Sequence, residues 1–140
     1  MREHGDYRID RFDDVVVSVV LDAWNLETMQ SYASQFRALF DDCGRDPWAL
    51  VVDARQWRLA TPEVGPELGE LARWKDRNGL VAAAYINIAD DELKSHFAAD
   101  QIFRHYDKAR VALVEEPVDA LTWVSAHGFE VSPDLQAHLR

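Results

Sequence analysis

The chain is short of the residues that build covalently stapled or metal-held scaffolds. Cys43 is the one cysteine among 140 residues, which excludes an intrachain disulfide and a cysteine zinc cluster and fits a reducing compartment. The five histidines, His4, His96, His105, His127 and His138, contain no HxxxH or HExxH pair and no recognisable pairing with a serine or cysteine nucleophile. No metal, no cofactor and no catalytic set is therefore expected, and the chain reads as a non-enzyme. Basic residues are also few. Fifteen Lys and Arg stand scattered against 25 Asp and Glu, for a net charge of −10, and a phosphate-tracking surface needs a basic stripe, so nucleic acid and anionic lipid are excluded as partners. Long apolar runs are missing as well: MREHGDYRID has none behind its charges, and the longest later ones, such as LVAAAYINI, are far too short to span a bilayer. The expectation is a cytoplasmic protein without a signal peptide or membrane insertion.

What is present is a core. Hydrophobic residues make up 48% of the chain, and the six glycines and five prolines nowhere gather into a linker, so one domain over 1–140 is expected, with its core at about 7–129 and a peripheral tail at 130–140. Tyr7 to Phe12 alternates like an edge strand, Asp13-Asp14 turns, and Val15 to Leu21 is almost wholly β-branched, as in a strand buried on both faces. Asn25 is a good N-cap, with Trp24 and Met29 at staple spacing, and Leu26, Met29, Ala33, Phe36 and Phe40 repeat at helical intervals up to about Asp42 and Gly44.

Trp48 to Asp53 reads as the next strand, followed by a loop, DARQWRLATPEV. The helix after it has Leu68, Leu71, Ala72 and Lys75 on one face and Asn78-Gly79 at its end. Pro66 argues for a turn at Thr61 to Val64 and a main helix from Pro66. LVAAAYINI is a central strand, and Asp90 caps a third helix whose apolar positions drift, so that it bends or ends near Ala98 to Asp100. Arg110 to Val114 is a last strand, and Pro117 opens a helix closed by Gly128. The order predicts an α/β fold: a β-hairpin start, then repeated βα units, giving a five-stranded, mostly parallel sheet with about four helices.

This order, with VVDARQWRLATPE after the third strand and the closing helix EEPVDALTWV, resembles the STAS family of anti-sigma-factor antagonists and the related sporulation-AA-like proteins, from Tyr7 to Phe129. In that family an aspartate ends the third strand and a phosphorylatable serine follows at the start of the next helix, in an Asp-Ser step. Asp53 matches the aspartate, but Thr61-Pro62 stands where the Asp-Ser step would be. The resemblance thus implies a non-enzymatic regulatory module that binds a protein partner or a second copy of itself, without the phosphoswitch.

Asp53 invites a second comparison, with the phosphoacceptor of a receiver domain. That chemistry needs an acidic pair after the first parallel strand and a lysine after the last. Only Asp22 and Glu115-Glu116-Pro117 stand at those places, which removes the reading. Thr61 before Pro62 reads as a helix-start cap and not as a phosphate acceptor. Binding residues are expected at the carboxyl ends of the parallel strands, where open α/β sheets place ligands: Asp22 and Asn25, then Asp53, Arg55, Trp57 and Arg58, then Asn87. Exposed tryptophan beside arginine on an acidic domain has the composition of a binding hot spot. A different class of function stays open beside the protein partner: a carrier or sensor of a small apolar or anionic ligand, held between helices and sheet with Trp57 and Arg55 or Arg58 at the mouth.

Overall fold

A computed structural model describes residues 6–40, 46–88 and 91–139. Five strands lie in the order β1-β2-β3-β4-β5, with β1 antiparallel to β2 and the other pairs parallel. They are β1 (Asp6–Phe12), β2 (Val15–Trp24), β3 (Trp48–Ala60), β4 (Leu80–Ile86) and β5 (Arg110–Val114). The helices are α1 (Leu26–Ala38), α2 (Val64–Arg77), α3 (Glu92–Gln101), α4 (Pro117–Ala126) and α5 (Pro133–His138), with a 3-10 turn at Phe103–His105. The expected α/β fold, with a hairpin start and a mostly parallel five-stranded sheet, is therefore the observed one.

Alternation along the central strands divides the core in two. Val16, Val20, Leu50, Val52, Ala83 and Tyr85 face one cluster, which contains Met29, Tyr32 and Phe36 of α1 and Leu71 and Ala72 of α2. Val15, Val17, Val19, Ala49, Val51, Ala84 and Ile86 face the other, with Ala120 and Val124 of α4. Central strands that are apolar on both faces follow from this, because helices cover both. At the edge, Tyr7 and Ile9 of β1 pack on the first cluster and Phe12 on the second.

The α1 N-cap is Asn25, whose Oδ1 accepts from the Thr28 amide at 3.0 Å. The expected end of this helix at Asp42 and Gly44, the residue Cys43 and the expected cap Asp90 lie outside the described residues. The α3 N-cap is Asp91, accepting from the amides of Leu93 and Lys94. That helix ends at Gln101, slightly later than the drifting apolar pattern implies, and the 3-10 turn then brings Ile102 into the first core.

Three expectations are corrected. The segment DARQWRLA is not a loop: β3 runs on to Ala60, paired with a β2 that itself runs past Leu21 to Trp24. Helix α2 begins at Val64, two residues before Pro66, since a first-turn proline lacks only an N–H that would have no helical partner. The tail is not peripheral. Ser132 caps α5 through a bond from the Leu135 amide at 3.1 Å, and Leu135 and Leu139 are buried in the second core.

Candidate functional site

The long extension of β2 and β3 is irregular, and its irregularities build the site. Val19 pairs with Asp53 and Leu21 with Gln56, so two steps along β2 meet three along β3; the same mismatch recurs between Asp22–Trp57 and Trp24–Ala60. Each is a bulge. Strict alternation from Ala54 would send Trp57 to the opposite face of the sheet, and the extra residue at the first bulge keeps it on the side of Ala54, in the α1–α3 core. Beyond Asp53, β3 has no register partner on β4. The backbone opened there is held by Lys94 of α3, whose Nζ donates to the Ala54 carbonyl oxygen at 3.0 Å.

Trp57 lies edge-on to Trp24, with centroids 6.2 Å apart, and against Phe97 at 5.7 Å. Beneath these rings is a mainly apolar cavity of about 40 Å³. Its floor is the sheet (Val20, Val52, Ala54, Tyr85), and α2 closes it with Leu68 and Lys75. A water needs about 10–15 Å³ on this measure, so the space suits about three water-sized groups.

Polar atoms around the cavity are mostly committed. The Tyr32 hydroxyl bonds Ser18 at 2.6 Å, the Tyr85 hydroxyl bonds Tyr106 at 2.8 Å, and Trp24 Nε1 donates to the Asp6 and Leu21 carbonyls. Burial raises the pKa of Tyr32 and Tyr85, keeping both as neutral phenols. Two donors on the described residues lining the cavity are uncommitted. Trp57 Nε1 is buried without a hydrogen-bond partner. Lys75, 5% exposed, has the face of Phe36 at 4.6 Å from Nζ but no hydrogen bond or ion pair. Burial alone pushes this lysine down to about 7 from 10.5.

The expected site residues do not form one patch. Trp57 is buried, 5% exposed, so the exposed hot-spot tryptophan is corrected: its ring roofs the cavity. Asp53 and Arg55 lie instead beside Val19 and Leu21, on the α4–α5 side. Asp53 Oδ1 accepts from the Arg55 amide at 3.1 Å and from Nε at 2.9 Å, Oδ2 accepts from its Nη2 at 2.7 Å, and this bonding raises the arginine pKa further. Arg55 also donates to the Leu139 carbonyl at 3.4 Å. It therefore lines a separate pocket with Asp53, Val19 and Leu21 and does not stand at the mouth of the cavity beneath Trp57. Arg58 is exposed. Asp22 is exposed with φ +59°, Asn25 is spent on its cap, and Asn87, φ +62°, donates its amide to Val114.

Thr61 is exposed, and its hydroxyl makes no hydrogen bond among the described residues; Glu63, without a side-chain cap bond, occupies the α2 N-cap. The capping role expected of Thr61 is thus corrected. The expected shared face of Leu68, Leu71, Ala72 and Lys75 is the buried face of α2, but that spacing did not mark Lys75 as a site residue.

Among the described residues, no group of three or more His, Cys, Asp or Glu could hold a metal, and no helix is long and apolar enough to cross a membrane. No protein-family model matches the chain, and no curated protein matches it. Among solved structures it is similar to an uncharacterized protein of the DUF3478 family with a SpoIIAA-like fold from Shewanella loihica PV-4. The TM-score is 0.61 at 11% identity, covering 88% of this chain and 95% of that one. The fold is SpoIIAA-like, the fold that the element order and the Asp53 segment resemble.

Proposed function

We infer that the chain is a non-enzymatic regulatory module of the STAS type whose input is a small, largely apolar ligand. It works in the cytoplasm, and its output is contact with a protein partner or a second copy of itself. The observation that carries this reading is the cavity between the sheet and α1–α3, apolar in most of its lining and holding two polar groups without partners. Ligand sites have this composition: an apolar shell with a few convergent polar atoms. The SpoIIAA-like fold supports a regulatory role by analogy only. The net charge of −10 supports a partner other than nucleic acid or an anionic membrane.

A ligand entering beneath Trp57 and Trp24 changes the surroundings of both indoles, so tryptophan fluorescence and amide NMR spectra should report saturable binding of short apolar compounds. Perturbed amides should cluster at Ala54, Trp57, Leu68 and Lys75. Spectra unchanged across a panel of acids, amides and alcohols of three to six carbons would remove the ligand reading and leave the partner reading alone. Light scattering across a concentration series, with and without ligand, tests the output through the chain's own association.

A further inference from the structure

We propose that the cavity selects a short carboxylic acid, its carboxylate held by Lys75 Nζ and Trp57 Nε1 and its apolar body lying against Val20, Val52 and Ile102. The proposal rests on the reading of the cavity as a ligand site and adds the chemical class of the ligand.

Donors and acceptors around the cavity do not balance. Buried polar groups are paired almost without exception, and those left over at a cavity point to what the cavity takes. The hydroxyls of Tyr32 and Tyr85 and the Trp24 indole are satisfied inside the protein. The two groups left are Trp57 Nε1, buried without a partner, and Lys75 Nζ, which has the Phe36 ring face and no hydrogen bond; an indole N–H and an ammonium donate and cannot accept. A complementary ligand therefore brings acceptors. The Phe36 ring face compensates an ammonium only partly, and a carboxylate compensates it directly. An amine ligand would set donor against donor at the Trp57 indole and at the protonated lysine. Length is limited by the space, which holds little more than the carboxylate headgroup, so that even a short chain requires Leu68 or Ile102 to move.

Among the described residues, no acid pairs with the lysine. The neighbouring Asp76 on α2 accepts from the backbone amides of Lys108 and Ala109, and Asp53 is bonded to Arg55 on the other face of the sheet. From the remaining packed elements, Tyr32 of α1 and Tyr85 of β4 face the cavity as phenols, and Lys94 of α3 adds positive charge at the Ala54 carbonyl. The surroundings of Lys75 thus favour an incoming anion. Since burial holds the amine near 7, a bound carboxylate draws a proton onto Nζ, and binding above neutral pH takes up a proton from buffer.

The test compares sodium isobutyrate with isobutyramide, which has nearly the same shape and no charge, on the full chain by NMR titration and calorimetry. Isobutyrate should bind at least about tenfold more tightly at pH 7. At pH 8.5 its binding heat should vary with buffer ionisation heat by nearly one proton taken up, and its affinity should fall on further alkalinisation. Lys75→Met should abolish the acid's preference over the amide. The amide binding as tightly as the acid, or no proton uptake at pH 8.5, overturns the carboxylate assignment while the cavity remains a ligand site. Neither compound binding, with the wider panel also silent, removes both readings. The comparison on the unmodified chain does not depend on how any variant folds.

Discussion

Lys94 Nζ donates to the Ala54 carbonyl oxygen at 3.0 Å, a buried bond that ties α3 to the sheet where β3 leaves its partner β4. Hydrogen bonds from charged donors contribute about 1.5–3 kcal/mol, and a buried acceptor left behind costs a similar amount. Lys94→Met keeps the stem and removes the donor. It should lower unfolding free energy in urea by about 1.5–3 kcal/mol and loosen α3, seen as faster amide exchange at residues 94–98. Unchanged stability would mean that the bulge closes without this lysine.

Lys75 gives stability a distinctive pH dependence. Its pKa is near 10.5 in the unfolded chain and about 7 when folded, so between these values the unfolded state binds more protons and stability rises with pH. Below pH 7 the full cost of the buried ammonium is present; above about 10.5 it is gone. The buried tyrosines act oppositely, because Tyr32, Tyr85 and Tyr106 have raised values when folded, so stability falls once the unfolded phenols ionise above 10. Lys75→Met should stabilise the chain at pH 6.5 by on the order of 1–4 kcal/mol, and the difference from wild type should shrink steadily toward pH 9.5. A gap that stays constant with pH contradicts this account.

Two glycines one turn apart on α2 let α3 and the 3-10 turn close over the cavity. A Cβ on Gly69 would lie 2.7 Å from His105 Nε2 and 3.2 Å from the Gln101 carbonyl, whereas one on Gly65 would meet only the Gln101 side chain, at 2.7 Å from its Oε1. Alanine is favoured over glycine in a helix by about 1 kcal/mol. At Gly65 that gain and a shift of the flexible Gln101 side chain should nearly cancel. At Gly69 the ring and backbone must both move, so Gly69→Ala should cost about 1–3 kcal/mol net, read as a lower melting temperature than Gly65→Ala.

The hairpin, both central strands and α1 were legible because Tyr7 to Phe12, Val15 to Leu21 and Leu26 to Phe40 carry clean periods. DARQWRLA was not, for a physical reason. Bulges break the period of two that marks a strand, and the exposed Arg55, Gln56 and Arg58 look like loop polarity. The supposed cluster of Asp53, Arg55 and Trp57 failed for the same cause, since sequence proximity does not show which face a bulge assigns. Lys75 and the tail were different: the spacing of Leu68, Leu71 and Lys75 put the lysine on the inner face of α2 without showing that it meets a cavity, and the spacing of Leu135 and Leu139 after Ser132-Pro133 was outweighed by the brevity of the tail.

The tail makes this difference measurable. Leu135 is 0% exposed and packs in the second core with Val124 and Ile86 in the same cluster. Leu135→Ala should therefore destabilise the chain by about 2–5 kcal/mol in urea titrations. A peripheral tail would give a change within about 0.5 kcal/mol.

Thr61 separates a structural connection from a modifiable one. Its amide donates to the Trp24 carbonyl at 3.0 Å and its carbonyl accepts from Val64, while its hydroxyl is free in solvent. Those backbone bonds survive substitution. A threonine acting as an N-cap would cost about 1 kcal/mol on replacement; Thr61→Val should change unfolding free energy by less than about 0.5 kcal/mol. Thr61→Glu should be equally silent in stability and in isobutyrate affinity, because the new charge stays in water at the α2 start and outside the cavity lining. An effect of Thr61→Glu on ligand affinity or self-association, with Thr61→Val silent, would instead mark this position as a charge-operated switch despite Pro62.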